Sequence, residues 1–138
     1  MIFLFDRCLA ERLARIIAAY EVNHKVRFLD DHFDKATKDV DWIKAVSIWD
    51  EPPVVISADN RMRRDPVERQ ALATSKLTLV FIKAGFHNFS MHDQALKLLK
   101  IWPEIVTETK RVVEPTAFEI TPRFARVDLV CKTAKLAN

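Results

Sequence analysis

The chain has 138 residues, the length of one domain, and 49% of them are hydrophobic, which predicts a packed core and excludes a disordered protein. A formal net charge of +3 makes it mildly basic and compatible with a polyanionic partner. Its single glycine, Gly85, excludes Gly-rich phosphate loops and dinucleotide fingerprints, so we expect no nucleotide cofactor of those kinds.

The cysteines and the apolar opening bear on location. Cys8 and Cys131 form no CxxC pair, and the sequence shows no secretory leader, which together favour a reducing compartment. Residues 1–5 are apolar, but Asp6 and Arg7 end this run far short of a membrane span. We therefore expect a cytoplasmic protein with no membrane segment, and we interpret the opening as a buried strand.

Predicted strands and helices alternate along the chain. Apolar runs predict strands over 2–5, 25–29, 54–56 and 77–82, and helical periodicity follows each of them, beginning near Cys8, Asp39, Asp65 and Ser90. This order predicts an α/β fold in which a parallel sheet is covered by helices on both faces, in three layers. We expect one domain over residues 1–112, with an extended, strand-forming segment over 113–138 that belongs to the same unit.

Apolar stripes on the first two helices define part of the expected core. The predicted buried residues are Leu9, Leu13, Ile16, Ile17 and Tyr20 in the first helix, and Trp42, Ala45, Val46 and Trp49 in the second. The tryptophans at these positions fit a core better than a surface for base stacking.

Acidic side chains recur where the predicted strands end. Asp6 follows the first strand and Asp59 the third, while Asp39 and Asp41 open a helix whose N-terminus should point at the same edge of the sheet. Carboxylates brought together repel one another unless a cation shares them. Mg²⁺ or Mn²⁺ is favoured over zinc, because no Cys/His set has ligand spacing.

Each acid also has a simpler interpretation. Asp6 and Asp39 could cap the first and second helices, and Asp59 could be a turn residue. Asp65 fits a helix cap, and we assign it that role. Glu68 fits a capping-box partner first and an outer metal ligand second.

The ordered aspartates resemble those of PIN-like domains, specifically of VapC-type toxins and related short prokaryotic proteins. The resemblance is carried by FLFDRCLAERLARII, TKDVDWI and VVISADNRMRRDPVERQAL, within residues 1–85. Members typically have an Asp closing the first strand, an Asp opening a helix and an Asp in a Thr/Ser-x-Asp strand end. Asp6, Asp39 and Asp59 occupy those positions, and Ser57 is the hydroxyl expected to orient Asp59. A fourth acid is typical, and Asp41 is the nearest candidate.

The resemblance implies a metal-dependent endoribonuclease, the toxin of a toxin–antitoxin pair. Asp6, Asp39 and Asp59 would hold Mg²⁺ or Mn²⁺ for hydrolysis of RNA phosphodiesters, and an antitoxin protein would be the partner. The candidate RNA-binding residues are Arg61, Arg63, Arg64 and Lys83, for which a solvated loop is the simpler interpretation of the arginines.

Two other functions compete with this one. The first is a PIN-like domain with an incomplete site that acts as an interaction or RNA-binding module. The second is a receiver-like phosphoacceptor, which needs an acid pair after the first strand, whereas Asp30 and Asp31 follow the second.

The segment after Val113 alternates apolar and polar residues over 117–120 and 126–130, which predicts strands with one buried face. PIN-like domains tend to pair, so we predict that this tail supports a homodimer and leaves its basic residues free for RNA phosphates. The alternative is a strand that caps the sheet of its own monomer.

Overall fold

The computed structural model describes residues 1–121 and 123–137. Its strands are β1 (Ile2–Phe5), β2 (Lys25–Phe28), β3 (Val54–Ser57), β4 (Leu79–Ile82), β5 (Thr116–Ile120) and β6 (Val127–Lys132). Its α-helices are α1 (Glu11–Tyr20), α2 (Asp39–Ser47), α3 (Pro66–Ser75) and α4 (Met91–Arg111). The strands form one sheet in the order β2-β1-β3-β4-β5-β6, in which only the β5–β6 pair is antiparallel. The predicted α/β class with a mostly parallel sheet is therefore confirmed.

The sheet lies between two helical layers. Because side chains alternate along a strand, Phe3 and Phe5 pack in one core cluster while Leu4 packs in the other. The first cluster contains buried residues of α1 and α4, and the second contains those of α2 and α3. Both faces of the sheet are thus covered, which explains why β3 and β4 are buried along their whole length.

The position of β1 in the sheet determines where a ligand can bind. The chain passes from β1 to its neighbour β2 on one side, and then returns to β3 on the other side of β1. Strand order reverses there, and ligands of open α/β sheets bind beyond the carboxyl ends of the strands at such a point. Asp6 and Asp59 both follow strands that end at this position.

Helix α1 differs from its predicted stripe. It begins at Glu11, not near Cys8, and it buries Leu13, Ala14 and Ile17. Ile16 and Tyr20 are 37% and 55% exposed, so their prediction as core residues is wrong. A short helix against a sheet buries a narrow stripe, and the small Ala14 lies closer to the centre of that stripe than the larger residues on its flanks.

Helix α2 buries Trp42, Ile43 and Val46. Trp49 lies beyond the helix end and is only partly buried, stacked on Phe33 with 6.5 Å between the ring centroids. The prediction of Trp42 as a core residue is confirmed, and that of Trp49 holds only in part.

The predicted start of α3 is confirmed by its cap. Asp65 accepts hydrogen bonds from the backbone N–H groups of Val67 and Glu68 at 2.9 and 3.0 Å, and Pro66 occupies the first turn. Asp65 and Glu68, at the N-terminus of α3, lie at the same edge of the sheet as Asp6, because all three line one cleft.

The segment after α4 completes the sheet. β5 lies between β4 and β6 and buries Ala117, Phe118 and Ile120. The basic residues of the tail are less free than predicted, because Arg126 pairs with Asp128 at 2.7 Å and Lys132 with Glu114 at 2.7 Å. Among the described residues, no helix is both long and apolar enough to span a membrane.

Candidate functional site

An acidic cleft of about 550 Å³ opens beyond the carboxyl ends of β1 and β3. Its lining contains the acids Asp6, Asp39, Asp59, Asp65 and Glu68, the cations Arg7, Lys38 and Arg61, and Cys8, Thr37, Val40 and Val67. The three aspartates that the sequence singled out as metal ligands therefore share one cleft.

Asp6 is the most buried acid of the cleft, with 2% of its surface exposed. Its Oδ2 accepts hydrogen bonds from Ser57 Oγ at 2.9 Å and from Cys8 Sγ at 3.4 Å. Burial, helped by the negative charge of Asp39, raises the pKa of Asp6, and the two hydrogen bonds offset only part of this rise. The alternative role of Asp6 as a helix cap is wrong, because the cap position of α1 is Ala10.

Ser57 links the two strands that carry the cleft. Its hydroxyl donates to Asp6, which follows β1, and accepts from the backbone N–H of Asp59, which follows β3, at 3.0 Å. The sequence prediction expected this hydroxyl to orient Asp59; in the structure it binds the Asp59 backbone, and the carboxylate to which it donates is that of Asp6. Ser57 touches Asp59 only through the backbone.

Cys8 contributes a neutral thiol to the cleft. Its sulfur accepts from the backbone N–H of Ala58 at 3.2 Å while it donates to Asp6. Burial, together with the charge of Asp6, raises the pKa of Cys8 to about 12. The thiol therefore stays protonated near neutral pH and acts as a hydrogen-bond donor, not as a thiolate ligand.

Asp39 and Asp41 lie in the first turn of α2 but differ in position. Asp39 lines the cleft, and its Oδ1 accepts a hydrogen bond from Trp42 Nε1 at 2.8 Å. The cap position of α2 is Lys38, so the alternative role of Asp39 as a cap is wrong. Asp41 is exposed and does not line the cleft.

Asp59 has an internal counter-ion. Its Oδ1 accepts from the backbone N–H of Arg61 at 2.9 Å, and the Arg61 guanidinium forms an ion pair with the same carboxylate at 3.3 Å. The turn interpretation of Asp59 is thus correct as far as the local backbone is concerned. The side chain of Arg61 is 79% exposed and that of Asp59 11%, so the pair lies at the rim of the cleft.

Glu68 was interpreted first as a capping-box partner and second as an outer metal ligand, and it lines the cleft. The backbone N–H of Asp65, which a capping box would direct to Glu68, donates instead to Arg61 O at 2.8 Å. Oε2 of Glu68 is buried and has no hydrogen-bond partner among the described residues. Partial burial and the charges of Asp39, Asp65 and Asp59 raise the pKa of Glu68. In the sequence, the feature that indicates a position near the cleft is that Glu68 lies in the first turn of the helix after β3.

The four predicted RNA-binding cations differ in their distance from the cleft and in their ion pairs. Arg61 is on the rim of the cleft, and Arg64, also exposed, donates to the backbone carbonyl of Asn60 at 3.4 Å. Arg63 and Lys83 instead pair with Glu119 at 3.2 and 3.4 Å. Lys38, which the sequence interpretation omitted, lines the cleft.

The donor chemistry of the cleft fits a hard divalent cation. Carboxylate oxygens are the ligands that Mg²⁺ and Mn²⁺ prefer. Burial of the Glu68 Oε2 atom without a partner among the described residues costs folding free energy, which a bound cation or a hydrogen-bond donor would offset. Over residues 1–121 and 123–137, however, no three His, Cys, Asp or Glu side chains are grouped closely enough to hold a metal ion. The carboxylates of Asp39 and Asp59 are instead engaged by the hydrogen bonds from Trp42 and Arg61 described above.

The mostly parallel sheet places the chain among open α/β proteins, whose ligands bind at a topological switch point, and the acidic cleft lies at that point. The family model described as a PIN-like domain matches residues 1–84, more than half of the chain, and the chain belongs to the PIN-like domain family. Domains of this family are generally nucleases and typically use divalent metals. No curated protein and no solved structure matches the chain.

Proposed function

We propose that this PIN-like domain is a metal-dependent endoribonuclease. Mg²⁺ or Mn²⁺ would be held by Asp6, Asp39 and Asp59, with Glu68 as the fourth acid in place of Asp41. The observation that carries the proposal is that these four carboxylates share one cleft and that Glu68 has a buried oxygen without a partner among the described residues. Mutual repulsion contributes to the raised pKa of Asp6 and of Glu68, and a bound cation would relieve it.

The residues of the chain have distinct roles in this proposal. Ser57 and Cys8 fix the orientation of Asp6 through hydrogen bonds, and Lys38 and Arg61 on the cleft can attract the phosphates of RNA. The metal, when bound, would lower the pKa of a water molecule and stabilise negative charge on the phosphate.

Binding of Mn²⁺ to the metal-free protein tests the proposal directly. A ligand at 100 times its Kd stabilises the folded state by about 2.7 kcal/mol. For 138 residues this corresponds to a rise in Tm of roughly 9 °C, from an unfolding entropy of about 2.1 cal/mol/K per residue. A Tm that does not change with Mn²⁺ would overturn the metal site.

A matched pair of variants locates the site. Asp39→Asn should abolish both the Mn²⁺-dependent rise in Tm and the cleavage of RNA, whereas Asp41→Asn, on the same helical turn but outside the cleft, should change neither. Asp6→Asn should also abolish cleavage, while the metal-free variant stays at least as stable as the wild type, because burial disfavours the charged form of Asp6. Equal effects of Asp39→Asn and Asp41→Asn would contradict the assignment.

The second candidate is an interaction or RNA-binding module without catalysis. It is favoured by the ion pair between Arg61 and Asp59 and by the absence of a preformed group of metal ligands among the described residues. RNA binding without cleavage, in a protein whose Tm ignores Mn²⁺, would support this candidate.

The toxin role and the antitoxin partner rest on the resemblance to VapC-type toxins. Growth arrest on expression of the wild type but not of Asp39→Asn, and rescue by the product of an adjacent reading frame, would support them. The homodimer also stays a prediction, which light scattering of the full chain tests.

A further inference from the structure

Arg7, the residue after Asp6, reaches across the edge of the sheet to the loop that leads into α2. Its Nη1 donates to the backbone carbonyls of Lys35 at 2.7 Å and Thr37 at 3.0 Å, and its Nη2 donates to that of Asp34 at 3.3 Å. One side chain thus satisfies three backbone acceptors within residues 34–37. Each is a charge-assisted hydrogen bond, the stronger kind.

A carboxylate beyond the end of β2 holds the same guanidinium. Asp30 Oδ1 lies 3.0 Å from Arg7 Nε, and both side chains are largely buried, with 20% and 23% of their surfaces exposed. The contact is an ion pair without the alignment of a hydrogen bond. Arg7 is therefore anchored from one side by Asp30 while it binds the loop on the other.

The other hydrogen bonds of the loop lie within it. Two hydrogen bonds within it, from Ala36 N to Asp34 Oδ1 at 2.8 Å and from Thr37 N to Asp34 O at 2.9 Å, shape the turn but do not attach it to β1. Thr37 lies two positions before Asp39, so a shift of the loop would move Asp39 relative to Asp6. The contacts of Arg7 connect these two aspartates across the cleft.

We propose that Arg7 is a positioning residue, which sets the place of Asp39 opposite Asp6 by holding the 34–37 loop. The inference rests on the proposed function, in which both aspartates hold a divalent metal. It also explains why Lys should not replace Arg7, because an ammonium group cannot reproduce a planar fork that donates in several fixed directions.

The test compares Arg7→Lys with Arg15→Lys, since both substitutions keep the positive charge. Arg15 is a matched control, because it pairs with Asp31, the neighbour of Asp30, at 2.7 Å but lies on the exposed face of α1, outside the cleft. Amide hydrogen exchange is measured without metal, and the Kd for Mn²⁺ is measured by electron paramagnetic resonance at a temperature at which all variants are folded.

In Arg7→Lys, we expect at least about tenfold faster exchange over residues 34–41 with unchanged exchange in the core, and a Kd for Mn²⁺ weakened by about tenfold, as for other residues that orient metal ligands. Arg15→Lys should change neither quantity.

Three other outcomes would overturn the inference. Unchanged exchange in the loop would show that Arg7 does not hold it. Faster exchange with an unchanged Kd, in a protein that binds Mn²⁺, would give Arg7 a structural role alone. A wild-type protein that binds no Mn²⁺ would refute the proposed function itself, and the exchange data would then still show whether Arg7 fastens the loop.

Discussion

Substitution of Phe118 on β5 by alanine tests whether the segment beyond the family match, which ends at residue 84, is part of the folding unit. This residue is 1% exposed, in a strand that lies between β4 and β6. Truncation of a buried Phe to Ala costs about 3–5 kcal/mol, from a total stability of about 5–15 kcal/mol for a domain. With about 2.1 cal/mol/K of unfolding entropy for each of 138 residues, Phe118→Ala should lower Tm by roughly 10–17 °C.

Urea unfolding followed by the fluorescence of buried Trp42 and Trp102 measures the loss. Leu129→Ala is the control, because Leu129 is the register partner of Phe118 on β6 but is 67% exposed, so its change should stay within about 0.5 kcal/mol. Equal midpoints for the two variants would refute the assignment of Phe118 to the core.

A chain that ends at Val113 extends the same reasoning. It would lose the buried side chains of Phe118, Ile120 and Phe124, each worth about 1.5–3 kcal/mol, and would leave β4 with an unpaired edge. The sum approaches the whole stability of a domain, so this chain should not fold cooperatively. A truncated chain with a wild-type urea slope would contradict the described topology.

Two further predictions concern charge. Glu21 is partly buried, which by itself raises its pKa, but hydrogen bonds from Asn23 N and Trp102 Nε1 outweigh burial and lower the pKa below its ordinary value. The stabilisation from Glu21 is therefore present above that ordinary value and lost as the pH falls through the folded-state pKa. Glu21→Gln should flatten the loss of Tm as the pH falls below about 4.3, the ordinary pKa of a glutamate, and an unchanged slope would contradict this. Arg61→Gln should tighten Mn²⁺ binding more than Arg64→Gln does, because only Arg61 competes for the Asp59 carboxylate, and equal titration curves would argue against such competition.

Local patterns in the sequence predicted the order of strands and helices and the edge of the sheet at which the acidic cleft lies. The apolar run of β1 and the cap formed by Asp65 are readable from adjacent residues, because strand burial and capping depend on short-range chemistry. Asp6 and Asp59 could be placed together because parallel strands end at one edge, whatever the details of packing.

Contacts between distant segments could not be read in this way. Ser57 has hydrogen-bonding partners just beyond the ends of both β1 and β3, and only the register of those strands decides that its hydroxyl meets Asp6. Glu68 has the spacing of a capping box, but the Asp65 N–H that would complete the box is taken by Arg61 O. The sequence pattern does not show whether the Asp65 N–H donates to Glu68 or to the Arg61 carbonyl, because this depends on the conformation of the turn after Asp59.

The charges of the cleft indicate the order in which its acids would respond to a cation. Asp59 already has Arg61 as a counter-ion, whereas Asp6 and Glu68 both have a pKa raised in part by the charge of Asp39. A divalent ion that enters therefore relieves most repulsion between Asp6, Asp39 and Glu68. Asp59 can join only by exchanging Arg61, and since the Arg61 side chain is 79% exposed and can be solvated when it leaves, the exchange costs little. Arg61 would then be free beside the metal, at the rim where the phosphates of RNA approach.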